Sequence, residues 1–329
     1  MPGYKLREYV PALRYGAKLQ LKELEGAGLL TFGSIFYVDS VTGSNTANDG
    51  RSPDQPYASI DTAVGSCTAN KGDHIIVIPG HVETVTAAAG LDLDVAGITI
   101  IGLGEGDVRP TINFTTATTA DMDFDATDIT LQNILFTGGI DALAAPIDVN
   151  SDDCTLIDCE IRDVTGQVVK WFKVDGDRFH VYNLKGDLAT DLASNEDTPD
   201  SVFELGTAAG TTGDIDDFQL EGFHIYGAQV KGLINSLTAN TNISVNKGFY
   251  RTSASVSKFI TTSGKESGII GKTEADIIVQ LGSATAVLND CITNSGAYFV
   301  YTTGGIHLVR LSANRTAAYT GVAASTSGA

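Results

Sequence analysis

The middle of the chain repeats every 25 positions, and a fixed period of this kind is typical of one coil stacked many times. One motif begins at Ile129, Cys154 and Phe179, so that each start lies 25 positions after the last. A second motif keeps the same step, as Met122-Asp123-Phe124, Ile147-Asp148-Val149 and Phe172-Lys173-Val174. The repeat therefore predicts a solenoid with two short strands in every coil. The phase returns at Phe218 after one longer step of 39 positions, which predicts one loop that holds the 14 additional positions and contains 195–200.

Apolar and polar residues alternate within these motifs, as expected for strands whose successive side chains point to opposite faces. Leu131, Leu156 and Val181 are predicted to form one interior stack, while Thr155 points outward. Stacked parallel strands lie about 4.8 Å apart, so about eight to ten coils would form a rod roughly 40 to 50 Å long. The sequence therefore predicts an all-β protein with the architecture of a parallel β-helix.

The chain is strongly acidic, with a formal net charge of −19 over 329 residues. Such a surface repels phosphates and anionic lipids, so neither nucleic acid nor membrane is expected as a partner. The first twenty residues contain Lys5, Arg7 and Arg14 and no apolar run, which predicts no signal peptide and no transmembrane segment. The four cysteines match no metal-ligand spacing, and Cys154 fills a core position of the repeat. No metal or other cofactor is expected.

The segment from Phe36 to Thr84 resembles the start of pectin-lyase-like right-handed parallel β-helix proteins. The likeness rests on Tyr37-Val38-Asp39, Asn48-Asp49-Gly50, Pro56-Tyr57-Ala58-Ser59-Ile60 and Gly72-Asp73-His74-Ile75-Ile76-Val77-Ile78-Pro79-Gly80. The resemblance implies a first strand, a turn-rich loop and a short capping helix near 57–69. A cap is needed because an open terminal coil would expose apolar interior and unpaired strand edges.

A narrower resemblance points to poorly characterised β-helix proteins of tailed phages and prophages. It rests on Pro79-Gly80-His81-Val82-Glu83-Thr84, Asp94-Val95-Ala96-Gly97-Ile98-Thr99-Ile100-Ile101-Gly102 and Thr137-Gly138-Gly139-Ile140-Asp141. The likeness covers most of residues 36–165 and thins afterwards. It implies a component of a virion.

An enzymatic function is one hypothesis, since pectin-lyase-like proteins include polysaccharide lyases, hydrolases and phage tailspikes. Asp121, Asp123 and Asp125 share one face of a strand by alternation and are the candidate catalytic carboxylates. Candidate partners on later coils are Arg162 and Arg178, as base or substrate clamp, and Asp158 and Asp163, as ligands of a calcium ion.

The opposing hypothesis is that these carboxylates only keep the rod soluble. No arginine recurs in phase with the Asp123 row, and solvent would screen three like charges on an exposed face. Trp171 is the only tryptophan, and it is expected in the interior, in phase with Met122 and Ile147, rather than in a sugar-binding groove. The sequence alone therefore favours a protein without glycosidic activity and without catalytic residues.

The segment 1–34 differs in charge from the rest of the chain, with five basic residues against three acidic ones. Tyrosines and leucines interleave with the cations, which is typical of a segment that docks on another protein. The candidate partner-binding residues are Lys5, Arg7, Tyr9, Arg14, Tyr15, Lys18 and Lys22. The alternatives are a disordered leader or a plain cap.

The predicted organisation has three parts: an attachment arm over 1–34, the β-helix over 35–290, and a C-terminal β-hairpin and tail over 291–329. The hairpin is predicted from two apolar runs, 297–301 and 306–309, that flank Thr-Thr-Gly-Gly.

These features favour a phage structural protein, either a capsid decoration protein or a fibre-like protein of head or tail. The arm would dock on a phage capsid or tail protein, and the rod would project outward from the virion as a homotrimer. The alternative is a tailspike-type polysaccharide lyase or depolymerase that acts on a host surface glycan, because fold alone does not decide between them.

Overall fold

The computed structural model describes residues 33–164, 168–188, 200–206, 214–227, 229, 231–238, 240 and 242–252. Beyond these it describes the backbone of four further segments, 260–261, 277–280, 296–302 and 305–311. These residues form a parallel β-helix made of three sheets, which we name sheets A, B and C.

Each sheet takes one strand from every coil. Sheet A contains, in spatial order, β1 (Ile35–Val38), β2 (His74–Val77), β5 (Thr99–Gly102), β8 (Thr130–Gln132), β11 (Thr155–Ile157), β14 (His180–Tyr182), β17 (Gln219–Glu221) and β20 (Ser244–Asn246). Sheet B contains β3 (Val82–Val85), β6 (Thr111–Phe114), β9 (Leu135–Gly138), β12 (Glu160–Asp163), β15 (Lys185–Asp187), β18 (His224–Gly227), β21 (Phe249–Thr252), β23 (Ile277–Gln280), β24 (Gly296–Thr302) and β25 (Gly305–Leu311). Sheet C contains β4 (Leu91–Leu93), β7 (Met122–Phe124), β10 (Ile147–Val149), β13 (Lys170–Val174), β16 (Ser201–Leu205), β19 (Gly232–Ser236) and β22 (Ile260–Thr261).

The prediction of a parallel β-helix is confirmed, but the prediction of two strands per coil is wrong. Each coil has a third strand, in sheet B, which in the regular coils follows the sheet A strand after a turn of only two residues, such as 133–134 between β8 and β9. In β15 the inward position is Gly186, so the alternation that marks a strand is weak there. Because the turn is short and β15 lacks an inward apolar residue, the sequence pattern shows the sheet A strand and the sheet B strand as a single motif.

The tight turns between sheets A and B depend on left-handed backbone conformations. Asn133, Asp158 and Asn183 occupy the same turn position in successive coils, with φ of 57°, 55° and 58°. Asparagine and aspartate tolerate this conformation better than other non-glycine residues. The amide Nδ2 of Asn183 also donates to Asp158 Oδ1 at 3.0 Å, which links one coil to the next.

The predicted interior stack is confirmed. Leu131 pairs with Leu156 and Leu156 with Val181 in the register of sheet A, and all three side chains are fully buried. Thr155 points to the outer face and is half-buried. Beside this stack, Phe172 and Phe203 are stacked with their ring centroids 4.6 Å apart. The interior is therefore a continuous column of apolar side chains along the rod.

The N-terminal end of this column is covered by one short helix, α1 (Ile60–Val64). Its Ile60, Ala63 and Val64 are buried, and it packs against β1, β2 and β4. Ser59 begins the helix, with its hydroxyl accepting from Thr62 N at 3.4 Å. Glu83 of β3 supplies a second cap, since its Oε2 accepts from Ile60 N at 2.9 Å.

Two further expectations need correction. The longer step is real, because Val181 pairs with Leu220, but the additional residues do not form one loop. Phe172 pairs with Phe203, 31 positions later, so part of the insertion precedes β16 and the rest follows it. Trp171 is buried, with 1% exposure, yet Phe172 and not Trp171 is in register with Ile147.

The C-terminal strands continue sheet B. β23 pairs parallel with β24, and β24 pairs antiparallel with β25, which is the predicted hairpin of the two apolar runs.

Cys67, Cys154 and Cys159 are free thiols, and burial raises the pKa of each to about 12. Within the described part of the chain, no helix has the length and apolar character needed to cross a membrane.

Candidate functional site

Six polar side chains stand one above another on the outer face of sheet C, and we call them the sheet C row. Successive strands β4, β7, β10, β13, β16 and β19 pair in register at this position. The members are Asp92, Asp123, Asp148, Lys173, Glu204 and Asn235. Neighbouring members lie one strand spacing apart, about 4.8 Å between backbones. Asp92, Asp123, Asp148 and Lys173 are half-buried and can meet a ligand that runs along the rod, whereas Glu204 and Asn235 are buried, with 8% and 2% exposure.

Lys173 is the cation at the centre of the row. Its Nζ lies 2.8 Å from Asp148 Oδ2, one coil earlier, and 3.2 Å from Asp175 Oδ2, just beyond the end of its own strand. Burial lowers the pKa of Lys173, but the two carboxylates outweigh it and raise the pKa above its ordinary value. Lys173 therefore stays protonated at neutral pH and acts as a fixed positive charge.

Asp123 has the most perturbed carboxyl group of the row. Burial, followed by the charges of Asp121, Asp148, Asp125 and Asp92, raises its pKa to about 7. Its Oδ1 is shielded from solvent and accepts no hydrogen bond from any described residue. A carboxyl group with this pKa exchanges protons near neutral pH, which is the property that general acid–base catalysis requires.

Asp121, Asp123 and Asp125 lie near each other, as predicted, but only Asp123 is within a strand. Asp121 and Asp125 lie just beyond the two ends of β7, and the charges of both raise the pKa of Asp123. Asp121 accepts from Ala89 N, while Asp125 Oδ1 accepts from Asn150 Nδ2 at 2.9 Å. Burial raises the pKa of Asp121 as well. The three carboxylates are therefore held near each other, against their mutual repulsion.

A second polar cluster continues the row toward the C-terminal end. Lys170 pairs with Glu204, one coil later, and Glu204 Oε2 accepts from Asn235 Nδ2 at 3.5 Å. The side chain of Glu204 is only 10% exposed. This cluster places an additional cation beside the row.

The two arginines that the sequence suggested do not reach the Asp123 row. Arg162 lies on sheet B and pairs with Glu160. Arg178 lies in the turn before β14, where its Nε is 2.6 Å from Asp153 Oδ1 and its Nη2 is 3.1 Å from Asp152 Oδ2. Both guanidinium groups therefore form ion pairs in other parts of the rod.

The predicted calcium pair is likewise not brought together. Asp158 lies in the turn before β12 and accepts from Asn183, whereas Asp163 is the last residue of that strand. Across the described residues, no three His, Cys, Asp or Glu side chains converge in a way that could hold a metal ion. The candidate partner-binding residues of the arm, from Lys5 to Lys22, lie outside the described residues.

Lys173 and Glu204 are members of the candidate site that the sequence analysis does not identify. Lys173 follows Asp148 by 25 positions, so the period alone places it in the row, but the expected partner cation is an arginine. Glu204 follows Lys173 by 31 positions rather than 25, so the period does not predict that it pairs with Lys173.

No protein-family model and no curated protein matches the chain. Among solved structures, the chain is similar to a protein described as a rhamnogalacturonan lyase, with a TM-score of 0.52 and 12% sequence identity. The similarity covers 76% of this chain and 67% of that chain. At this identity the comparison supports the fold, which is that of a pectin-lyase-like β-helix.

Proposed function

We propose that the protein cleaves an extended polysaccharide along sheet C, with Asp123 as the group that transfers the proton. The observation that carries the proposal is the half-buried carboxyl group of Asp123, whose Oδ1 accepts no hydrogen bond from any described residue, in a row that also holds the Lys173 cation. Burial and the neighbouring carboxylates raise the pKa of Asp123 to about 7. A proton donor or acceptor works best when its pKa is near the working pH. The similar fold of a lyase agrees with this function, at the level of architecture only.

The row offers the charges that glycosidic cleavage needs. Protonated Asp123 can donate to the glycosidic oxygen, while Lys173 favours the carboxylate form of Asp148 on the next strand, against the burial that raises the pKa of Asp148. Asp123 and Asp148 are directly opposite each other on neighbouring strands, about 4.8 Å apart between backbones, so both carboxyl groups lie on one face of sheet C. In an elimination, ionised Asp123 would instead remove a carbon-bound proton, and Lys173 would stabilise the negative charge that develops. The glycosidic C–O bond would then break to leave a C=C double bond, and the leaving oxygen would take a proton from water.

The case against glycosidic activity is weaker at this site than the sequence suggests, although no arginine lies in the row and Trp171 is buried, as expected. Asp123 is half-buried rather than freely exposed, so solvent does not screen its neighbours' charges fully. A cation does lie in phase with the row, as lysine rather than arginine. Both observations support the depolymerase over a purely structural rod.

The test incubates purified protein with host capsular polysaccharide, lipopolysaccharide and pectin, with and without calcium. We expect new reducing ends, and absorbance from unsaturated products if the reaction is an elimination. Asp123→Asn should reduce the rate at least a hundredfold, since proton transfer by one positioned group contributes about 10² to 10⁴.

Asp187→Asn is the matched control, because Asp187 is an exposed carboxylate on an outward position of sheet B. It should retain full activity. Cleavage that persists at the wild-type rate in Asp123→Asn, or no cleavage of any of these glycans, would contradict the proposal.

We propose in addition that the protein is a virion component, as its resemblance to phage β-helix proteins over 36–165 implies. The basic character of residues 1–34, against the acidic remainder, supports attachment through this arm to a capsid or tail protein. A homotrimer that carries the row to a host surface glycan would combine both proposals.

Deletion of residues 1–34 tests the attachment separately. The truncated protein should fold, as judged by its thermal melt, but should not co-purify with phage particles. Normal copy number of the truncated chain on particles would refute a role of the arm, and would leave the cleavage assay unaffected.

A further inference from the structure

A cleft of about 810 Å³ lies away from sheet C, along the edge where sheet A turns into sheet B. Ile101, Gln132, Asp158 and Asn183 line it from four successive coils. Three strand spacings give it a length of roughly 14 Å along the rod. A cleft of this length suits a short chain molecule better than a single ring.

One wall of the cleft is an overhang, residues 103–110, that connects β5 to β6 with eight residues where later coils use two. Asn133 Nδ2 fixes its start by donating to Gly102 O at 2.8 Å and to Gly104 O at 2.9 Å. Gly104 has φ of +99°, and a Cβ there would lie 2.8 Å from Val108 O, so the bend requires glycine.

The far end of the overhang is tied across two coils. Arg109 Nη1 lies 3.3 Å from Glu160 Oε2, and the Arg109 side chain is only 13% exposed. The opposite wall is tied by the hydrogen bond from Asn183 to Asp158. The cleft is therefore preformed, which reduces the entropy that a ligand must lose on binding.

Several polar groups of the cleft remain available to a ligand. Across the described residues, the side chains of Glu105, Gln132 and Lys185 make no hydrogen bond or ion pair, and Lys185 is exposed. Leu103 adds an apolar surface, with 38% exposure. An amide, charged groups and an apolar surface together match the hydroxyl rim and the apolar C–H face of a sugar.

The charge of the cleft differs from that of the whole chain. Arg109 and Lys185 balance Glu105 and Asp158 in its lining, whereas the full chain has a net charge of −19. A negatively charged ligand is repelled less here than on the rest of the rod, and Lys185 can pair with it, since Arg109 is already paired with Glu160.

From this geometry we propose that the cleft is a non-catalytic binding site for a short acidic oligosaccharide, with Lys185 as the partner of a sugar carboxylate. Gln132 would hydrogen-bond sugar hydroxyls, and Leu103 would contact the ring. The site is separate from the sheet C row, and binding here does not depend on cleavage there.

The test measures binding of a trigalacturonate by isothermal titration calorimetry, with the uncharged trisaccharide maltotriose in a parallel titration. The protein carries Asp123→Asn throughout, so that turnover does not interfere. Lys185→Gln should weaken trigalacturonate binding at least fivefold, and Gln132→Ala should weaken it as well. Maltotriose should bind at least fivefold more weakly than the charged sugar.

Lys71→Gln is the matched control, because Lys71 is an exposed lysine before β2, at the opposite end of the sheet A strands. It should change the affinity less than twofold. Absence of trigalacturonate binding, equal binding of both sugars, or equal effects of Lys185→Gln and Lys71→Gln would overturn the proposal. The cleavage assay is decided independently, since it depends on Asp123.

Discussion

Lys173 and Asp148 form an ion pair between adjacent coils, with 2.8 Å between Nζ and Oδ2. The two residues are 25 positions apart and directly opposite each other in the register of β10 and β13. The pair interrupts what would otherwise be a continuous run of carboxylates from Asp92 to Glu204 on sheet C. The row therefore combines Asp123, a carboxyl group with a raised pKa, with Lys173, a permanent cation.

Lys173→Met should destabilise the fold, because it leaves Asp148 and Asp175 without their counter-charge. Both carboxylates are largely shielded, with exposures of 17% and 18%, but solvent still reaches the pair. We expect a loss of about 1 to 2 kcal/mol at pH 7, between the values for exposed and buried pairs. Urea unfolding measures it. Lys71→Met is the control and should cost less than about 0.5 kcal/mol; an equal loss in both variants would be inconsistent with the ion pair.

Asp123→Asn should change how stability depends on pH. The folded pKa of about 7 lies above the ordinary value of 3.8, so the folded state holds the proton more tightly than the unfolded chain. The contribution of Asp123 to the stability of the wild type therefore falls as the pH rises from about 4 to 7, and its full penalty remains above pH 7.

The asparagine removes this penalty. The advantage of the variant over the wild type should grow by about 1 kcal/mol between pH 5 and pH 8, after allowance for solvent screening. Thermal melts at the two pH values measure it, with Asp187→Asn as a variant that should show no such trend. A constant difference across this range would mean that the pKa of Asp123 is not raised.

Leu156→Asp should prevent soluble folding, since it places a charge in the interior stack between Leu131 and Val181. The cost should be several kcal/mol, on the order of 4 or more. Thr155→Asp adds the same group to the adjacent outward position and should be mild. The measurement is soluble yield followed by a thermal melt, and similar tolerance of both changes would contradict the register.

Glu83→Ala should weaken the N-terminal cap. Glu83 Oε2 accepts from Ile60 N at 2.9 Å and lies 3.2 Å from Nε2 of the fully buried His81. Its removal leaves both groups without this partner, which should cost about 1 to 2 kcal/mol. Glu83→Gln keeps an acceptor and should cost less, and Thr84→Ala, on the outward neighbour, should be nearly neutral. Chemical denaturation measures the free energy of unfolding of the three variants, and equal losses in all three would exclude the capping role of Glu83.

Spacing along the chain is sufficient to predict the architecture and much of the register. Equal coil lengths place residues 25 positions apart on neighbouring strands, so the period alone brings Leu131 beneath Leu156 and Asp123 beneath Asp148. Alternation then decides which side chains enter the core, because successive residues of a strand point to opposite faces. The left-handed turn positions also follow locally, since asparagine and aspartate adopt that conformation readily.

Properties that depend on coils of unequal length and on burial arise only in the folded molecule. The third strand, the position of Glu204 and the bridge from Arg109 to Glu160 involve short turns or irregular steps that the period does not describe. The pKa of Asp123 depends on how far neighbouring coils shield it from water and how near they bring other carboxylates. Such desolvation is a property of the packed surface around a residue, which composition and spacing along the chain do not contain.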